Sequence, residues 1–192
     1  MAMYTSVVGN DEYSEWIDVG GSEDSLTPKL PLSPQMTLFY ERTAKKYIET
    51  SAALAGVHKL KSGLLFKILQ RGKGQLTPEP DDSIDIYYVA KLKDGTIFES
   101  SVRPEVPTKL TPQDTIYGLG EALLLMAAGD KWELYVPYEL AYGEDGDWPK
   151  KIPPYSPLYY EVEVVKVYGK GRDKREAMLY LKQELKKKYD EL

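Results

Sequence analysis

Cysteine is absent from the 192 residues, histidine occurs once, at His58, and there are three phenylalanines against sixteen tyrosines. Without a thiol the chain has no disulfide framework and no thiolate nucleophile. One imidazole with no thiolate beside it leaves no Cys/His set for zinc, and no metal site is expected. Long apolar runs are missing too: no stretch approaches the roughly 20 residues of a membrane span. The N-terminal segment, whose first lysine is Lys29, has neither the basic region nor the apolar core of a signal peptide. A net charge of -5 gives no basic excess, so neither nucleic acid nor a membrane is expected as principal partner. These absences make the cytosol the expected compartment. The final Tyr189-Asp190-Glu191-Leu192 resembles an endoplasmic-reticulum retrieval signal, which acts only behind a signal peptide; its alternative reading is a chance helix end.

What is present suffices for one domain with extensions: 42% hydrophobic and 29% charged residues. Nine of the sixteen tyrosines fall between Tyr87 and Tyr160. Tyrosine joins a large apolar face to a terminal hydroxyl, which suits a pocket that is dry yet must hold a peptide group, and suits a tyrosine-rich core equally.

Residues 1–34 carry Asp11, Glu12, Glu15, Asp18, Glu23 and Asp24 against Lys29, with Gly20-Gly21 breaking any period, and are expected to be a disordered acidic tail. Within it Trp16-Ile17 reads either as a docking motif or as a stray aromatic. A helix is expected over 35–58, capped by Ser33-Pro34, with Tyr40, Ala44, Tyr47, Ile48, Ser51 and Leu54 on one face and Gly56 as its stop. From 59 to 168 the period becomes two. Strands are expected over 62–70, 83–92, 96–100, 131–136 and 159–167, with Asp94-Gly95 as a hairpin turn. One short helix carries Leu119, Ala122, Leu123 and Met126. Many strands and few helices give an α+β class with an antiparallel sheet packed on one helix. Over 169–192 a basic amphipathic helix is expected, with Met178, Leu181, Leu185, Tyr189 and Leu192 as its stripe; it either packs on its own domain or docks a partner. Gly169-Lys170-Gly171-Arg172 reads as a hinge.

Within 59–167 the segments KLKSGLLFKILQRGKG, DGTIFESS, GDKWELYVP, ELAYGE and KIPP follow one another. In order and spacing they resemble the FKBP-type peptidyl-prolyl isomerases, and with a helix ahead of them they are most similar to the Mip-like branch. The resemblance implies a five- or six-stranded antiparallel sheet wrapped around one short helix, with a shallow apolar pocket between helix and sheet. It implies prolyl-containing polypeptides as clients, binding of macrolide inhibitors, and no cofactor.

Carried over by position, the resemblance implies Tyr88 and Phe98 as pocket walls, Asp114 at the rim and Thr115 as a β-branched wall residue. It implies the Ile116 N–H and the Tyr142 hydroxyl as donors to bound carbonyls, and Ile152 over the pocket. Tyr88, Phe98, Glu99 and Tyr142 form the implied catalytic set. Departures are Leu119 for a tryptophan floor, Glu99 for aspartate, Tyr160 for phenylalanine, Val89-Ala90 for Thr-Gly and Thr108 for an aromatic. One residue is inserted near Asp147-Trp148, where Trp148 is either a rim aromatic or an exposed loop residue. Two readings follow: an isomerase acting by desolvation and stabilisation of a twisted amide, or an FKBP-like binding module of weak or no activity serving as chaperone or adaptor.

Overall fold

The computed structural model describes residues 32–101 and 106–190, with backbone alone over 184–190. Residues 1–31 of the expected acidic tail, with Trp16 and Ile17, and the last two residues lie outside this range, and every element below belongs to the unit Ser33–Leu192. Helix α1 runs Pro34–Ala52. Ser33 caps it, its Oγ accepting the Met36 N–H at 3.3 Å, and Pro34 supplies a first residue whose missing N–H costs nothing there. The helix ends six residues short of the expected 58. The Ala53 N–H folds back onto the Thr50 and Ser51 carbonyls, and Gly56 takes a left-handed φ of 78°. That frees His58–Lys59 to pair as strand β1, and it leaves Leu54, expected on the buried face, half exposed.

The sheet contains β1, β2 (Leu65–Gln70), β4 (Ile84–Leu92), β5 (Ile97–Ser100), β6 (Thr108–Leu110), β7 (Lys131–Val136) and β8 (Leu158–Val167). Its order is β1-β2-β7-β8-β4-β5, with β6 also on β4, and every pairing is antiparallel. Seven strands replace the expected five or six, because β1 extends the edge beyond β2 and β6 continues β5 along the free side of β4. Two further strands, β3 (Leu76–Thr77) and β9 (Arg172–Asp173), pair only with each other.

Strict alternation on β4 turns Ile84, Ile86, Tyr88 and Ala90 to one face, joined by Trp132, Leu134 and Val136 of β7 and by Tyr160, Val162 and Val164 of β8. Helix α2 (Tyr117–Leu123) lies on that face and buries Leu119, Ala122 and Leu123. It is shorter than the run to Met126 suggested: Met126 is buried in the turn that follows. Close approach demands its two glycines, since a Cβ on Gly118 would stand 2.5 Å from Val136 Cγ1 and one on Gly120 2.6 Å from the Pro112 carbonyl oxygen. The opposite face receives α1 through tyrosine: the Tyr47 and Tyr135 rings are 6.4 Å apart and Tyr135 and Tyr159 5.4 Å. The tyrosine excess therefore serves two surfaces, a seam behind the sheet and the site in front of it.

Helix α3 (Lys174–Asp190) buries Ala177 and Leu181 in the same core. The glycines before it are no free hinge, because the Gly171 N–H donates to Asp82 and Arg172–Asp173 join β3. Asp130, 2% exposed, gathers three segments: it accepts the Gly72 N–H at 2.6 Å, the Ala127 N–H at 2.8 Å and the Lys174 ammonium at 3.1 Å. Removing it takes the counter-charge from the partly buried Lys174 ammonium, which keeps only the Gly72 carbonyl at 3.0 Å, and leaves two amides without their acceptor. Asp130→Ala should cost about 3–5 kcal/mol in urea unfolding, and a loss below about 1 kcal/mol would contradict the assigned role.

Candidate active site

Adjacent residues on a regular strand face opposite ways, so Phe98 and Glu99 should not both reach the front of the sheet. The register explains how they do. Ala90 pairs with Glu99, but Lys91 pairs with Ile97, which leaves Phe98 as an extra residue in a β-bulge. Phe98 thereby sets its ring edge-on to Tyr160, centroids 6.2 Å apart, while Glu99 Oε1 accepts the Tyr88 hydroxyl at 2.6 Å. Ser101 pins the strand end, its Oγ accepting the Tyr88 N–H at 2.9 Å and its N–H donating to the Tyr88 carbonyl at 3.0 Å. Thr108, on neighbouring β6, is a further hydrogen-bond neighbour of the Tyr88 hydroxyl.

Lys150 enters this site from the loop after Tyr142. Its ammonium donates to Glu99 Oε2 at 2.9 Å and to the Tyr142 hydroxyl oxygen at 3.1 Å. Burial works against the Glu99 charge, but the bonds from Lys150 and Tyr88 outweigh it and hold the carboxyl below the ordinary glutamate range. Partial burial likewise opposes the Lys150 charge, and Glu99 and Tyr142 nevertheless keep it above the usual lysine value. Burial first, and then the neighbouring Glu99, push the Tyr88 phenol up; burial, together with Tyr142, Glu99 and Tyr88, does the same at Tyr160.

The apolar residues of this region are buried to different degrees. Tyr160, Leu119 and Ile152 are 3%, 5% and 1% exposed, and Tyr88 lies beside Tyr160 at 6.3 Å between centroids. Phe98, Ile116 and Tyr142 are half-buried and pack against the same cluster. Ile116 is the residue just before α2, and its N–H has no acceptor among the described residues. Thus Tyr88, Phe98, Glu99, Tyr142 and Tyr160 are joined by ring contacts, by the Tyr88–Glu99 bond or through Lys150, and Ile116, Leu119 and Ile152 belong to or pack against the same hydrophobic core. Asp114 and Thr115 are not brought into these contacts. The Asp114 carboxylate accepts the Thr111 hydroxyl, and the Thr115 hydroxyl donates to the Pro112 carbonyl at 2.9 Å, so both shape the 3₁₀ turn that leads into α2. Trp148 is half exposed on its loop.

Lys150 carried no motif, and its role depends on a loop held shut by two bonds between Asp147 and Ile152, at 2.9 and 2.8 Å, and by the Lys150 N–H donating to Asp147 Oδ1 at 3.2 Å. The bulge at Phe98 is equally invisible in composition, because it is a property of pairing. Among the described residues no group of three or more His, Cys, Asp or Glu side chains is placed to hold a metal, and no helix is long and apolar enough to cross a membrane. A depression of about 280 Å³ lies between Leu124 and Leu125 after α2 and Arg172 and Ala177 near α3; its lining contains none of the site residues just described.

A model of the FKBP-type peptidyl-prolyl cis-trans isomerases matches residues 74–165. The macrophage infectivity potentiator of Trypanosoma cruzi is 41% identical over 145 residues, 74% of this chain and 74% of that protein. The FKBP-type 22 kDa peptidyl-prolyl cis-trans isomerase of Escherichia coli is 43% identical over 122 residues, 64% of this chain but only 58% of that protein's length. The crystal structure of a peptidyl-prolyl cis-trans isomerase from Pseudomonas syringae superposes with a TM-score of 0.65 at 30% identity, covering 73% of this chain and all of the other. With 41% identity to the Trypanosoma cruzi protein over 74% of both chains, and a fold that superposes on a solved isomerase, this chain belongs to the FKBP-type peptidyl-prolyl cis-trans isomerases, in their Mip-like branch.

Proposed function

We propose that the surface formed by Phe98, Leu119, Ile152 and Tyr160 receives a prolyl ring of a polypeptide client and speeds rotation about the peptide bond before it. Rotation about a peptide C–N bond faces roughly 18–20 kcal/mol because resonance gives the bond partial double character. At X–Pro the uncatalysed exchange takes about tens to hundreds of seconds. The twisted transition state has lost that resonance and with it part of the charge separation of the planar amide. A dry floor therefore disfavours the planar form relative to the twisted one, and tighter packing around the twisted form adds to the difference. No nucleophile, proton transfer or metal enters the step.

In this reading the Tyr142 hydroxyl and the Ile116 N–H hold the carbonyls on either side of the prolyl ring, Glu99 fixes Tyr88, and Asp114 and Thr115 shape the rim. What supports it is that Leu119, Ile152 and Tyr160, from three separate chain segments, are buried in one hydrophobic core, with Phe98, Ile116 and Tyr142 packed against it. Macrolide inhibitors would occupy the same surface. Leucine offers less area than an indole, so the Leu119 floor supports weaker macrolide binding than a tryptophan floor does.

A protease-coupled assay on X–Pro tetrapeptides tests the reading. Catalysis should exceed the spontaneous rate, and Phe98→Ala should lower kcat/KM by about tenfold or more with the far-ultraviolet circular dichroism unchanged; a wild-type rate equal to the uncatalysed one would refute it. The pH profile provides a separate check. Glu99 is held below its ordinary range and Tyr88 and Lys150 above theirs, so none of the three changes charge near neutrality. The rate constant should stay flat within about twofold between roughly pH 5.5 and 8.5, whereas a bell-shaped profile would indicate acid–base chemistry.

A further inference from the structure

We infer that Lys150 is a positioning residue that acts through Tyr142, turning that hydroxyl into a dedicated donor toward the bound client. The assignment rests on the isomerase reading above and follows from counting protons. A lysine ammonium has three donors and no acceptor, and a tyrosine hydroxyl has one proton to give. The Tyr88 proton is taken by Glu99 Oε1 at 2.6 Å. Lys150 gives one proton to Glu99 Oε2 at 2.9 Å and another to the Tyr142 oxygen at 3.1 Å. The Tyr142 oxygen is thus occupied as an acceptor, and its own proton finds no acceptor among the described residues. Of the hydroxyls bonded into this network, only that of Tyr142 keeps its proton for a client carbonyl. A hydroxyl that accepts from an ammonium is also polarised into a stronger donor.

Three features make Lys150 a fixed part of the site and not a chance surface ion pair. Its loop is closed by the Asp147–Ile152 bonds and by the Lys150 N–H on Asp147 Oδ1. The next residue, Lys151, holds a left-handed φ of 56°, a conformation uncommon for a side chain of this kind, which fixes the direction in which the loop leaves Lys150. And Ile152, buried in the floor, anchors the same turn two residues on. The arrangement also gives Glu99 a function that a shorter side chain would serve less well. With one methylene more than aspartate it spans from the Tyr88 hydroxyl on the sheet to the Lys150 ammonium on the loop.

The ion pair is about two-fifths exposed on each side, so its removal should barely affect stability; its effect should appear in turnover. The test is a double-mutant cycle in kcat and KM on a Leu–Pro tetrapeptide, using Lys150→Gln, Lys150→Arg, Tyr142→Phe and the Lys150→Gln/Tyr142→Phe pair, with thermal unfolding followed in parallel. Lys150→Gln should lose about three- to tenfold, mostly in kcat, Lys150→Arg should stay within about threefold of the parent, and the double variant should be no slower than Tyr142→Phe alone. Losses that multiply in the double variant, a Lys150→Gln variant as fast as the parent or faster, or an arginine variant as impaired as the glutamine one would overturn the assignment while leaving the isomerase reading intact. Absence of catalysis in the parent itself would overturn both.

Discussion

The site exists because the helix at the front of the sheet is too short to cover it. Seven residues of α2 span about 10 Å, whereas the nine and ten residues of β4 and β8 run to about 30 Å. Gly118 and Gly120 bring that helix close against Val136 and the turn at Pro112, so the packing cannot relax to spread it over more of the face. What the helix leaves must be closed by side chains from loops and strand edges. Ile152, buried in the core, and the bulged pair Phe98 and Glu99 supply part of that closure. The result is an apolar surface made dry by geometry, the property on which the proposed lowering of the rotation barrier depends.

Electrostatics then ties the edges of this surface together. The Glu99 carboxylate bridges β4, through Tyr88, to the loop carrying Lys150, and Lys150 carries the connection on to Tyr142. Because both charges are compensated, the edge offers oriented dipoles without a net charge that would draw water back over the floor. This is consistent with a reaction in which nothing is transferred and the task of the protein is to distinguish a twisted amide from a flat one.

The strands with clean alternation were legible in the sequence: Lys131–Val136 and Ile84–Leu92 follow their apolar period almost to the residue, and Asp94-Gly95 closes the hairpin it announces, with Gly95 at φ 89°. Less legible were pairings of two or three residues. β1, β3, β6 and β9 carry too few positions for a period, and they form because a long strand or another short one is already there to pair with. Helical spacing alone does not reveal where α1 ends, because the pairing of His58–Lys59 with Leu65–Phe66 is a tertiary contact. Most residues of the site could be placed from motif positions. Two of its determinants could not: the bulge that turns Phe98 and Glu99 to one side, and Lys150, whose meaning depends on a loop closed by backbone bonds.

The central claim is that a client's proline settles among Phe98, Ile152 and Tyr160 with a carbonyl on the Ile116 N–H. Amide chemical shifts recorded while a Leu–Pro tetrapeptide is added test it directly. The account predicts that Ile116 moves most, with Phe98, Glu99 and Ile152 following and the residues of α3 unmoved. Shifts centred instead on Leu124, Arg172 and Ala177, around the depression beside α3, would contradict it.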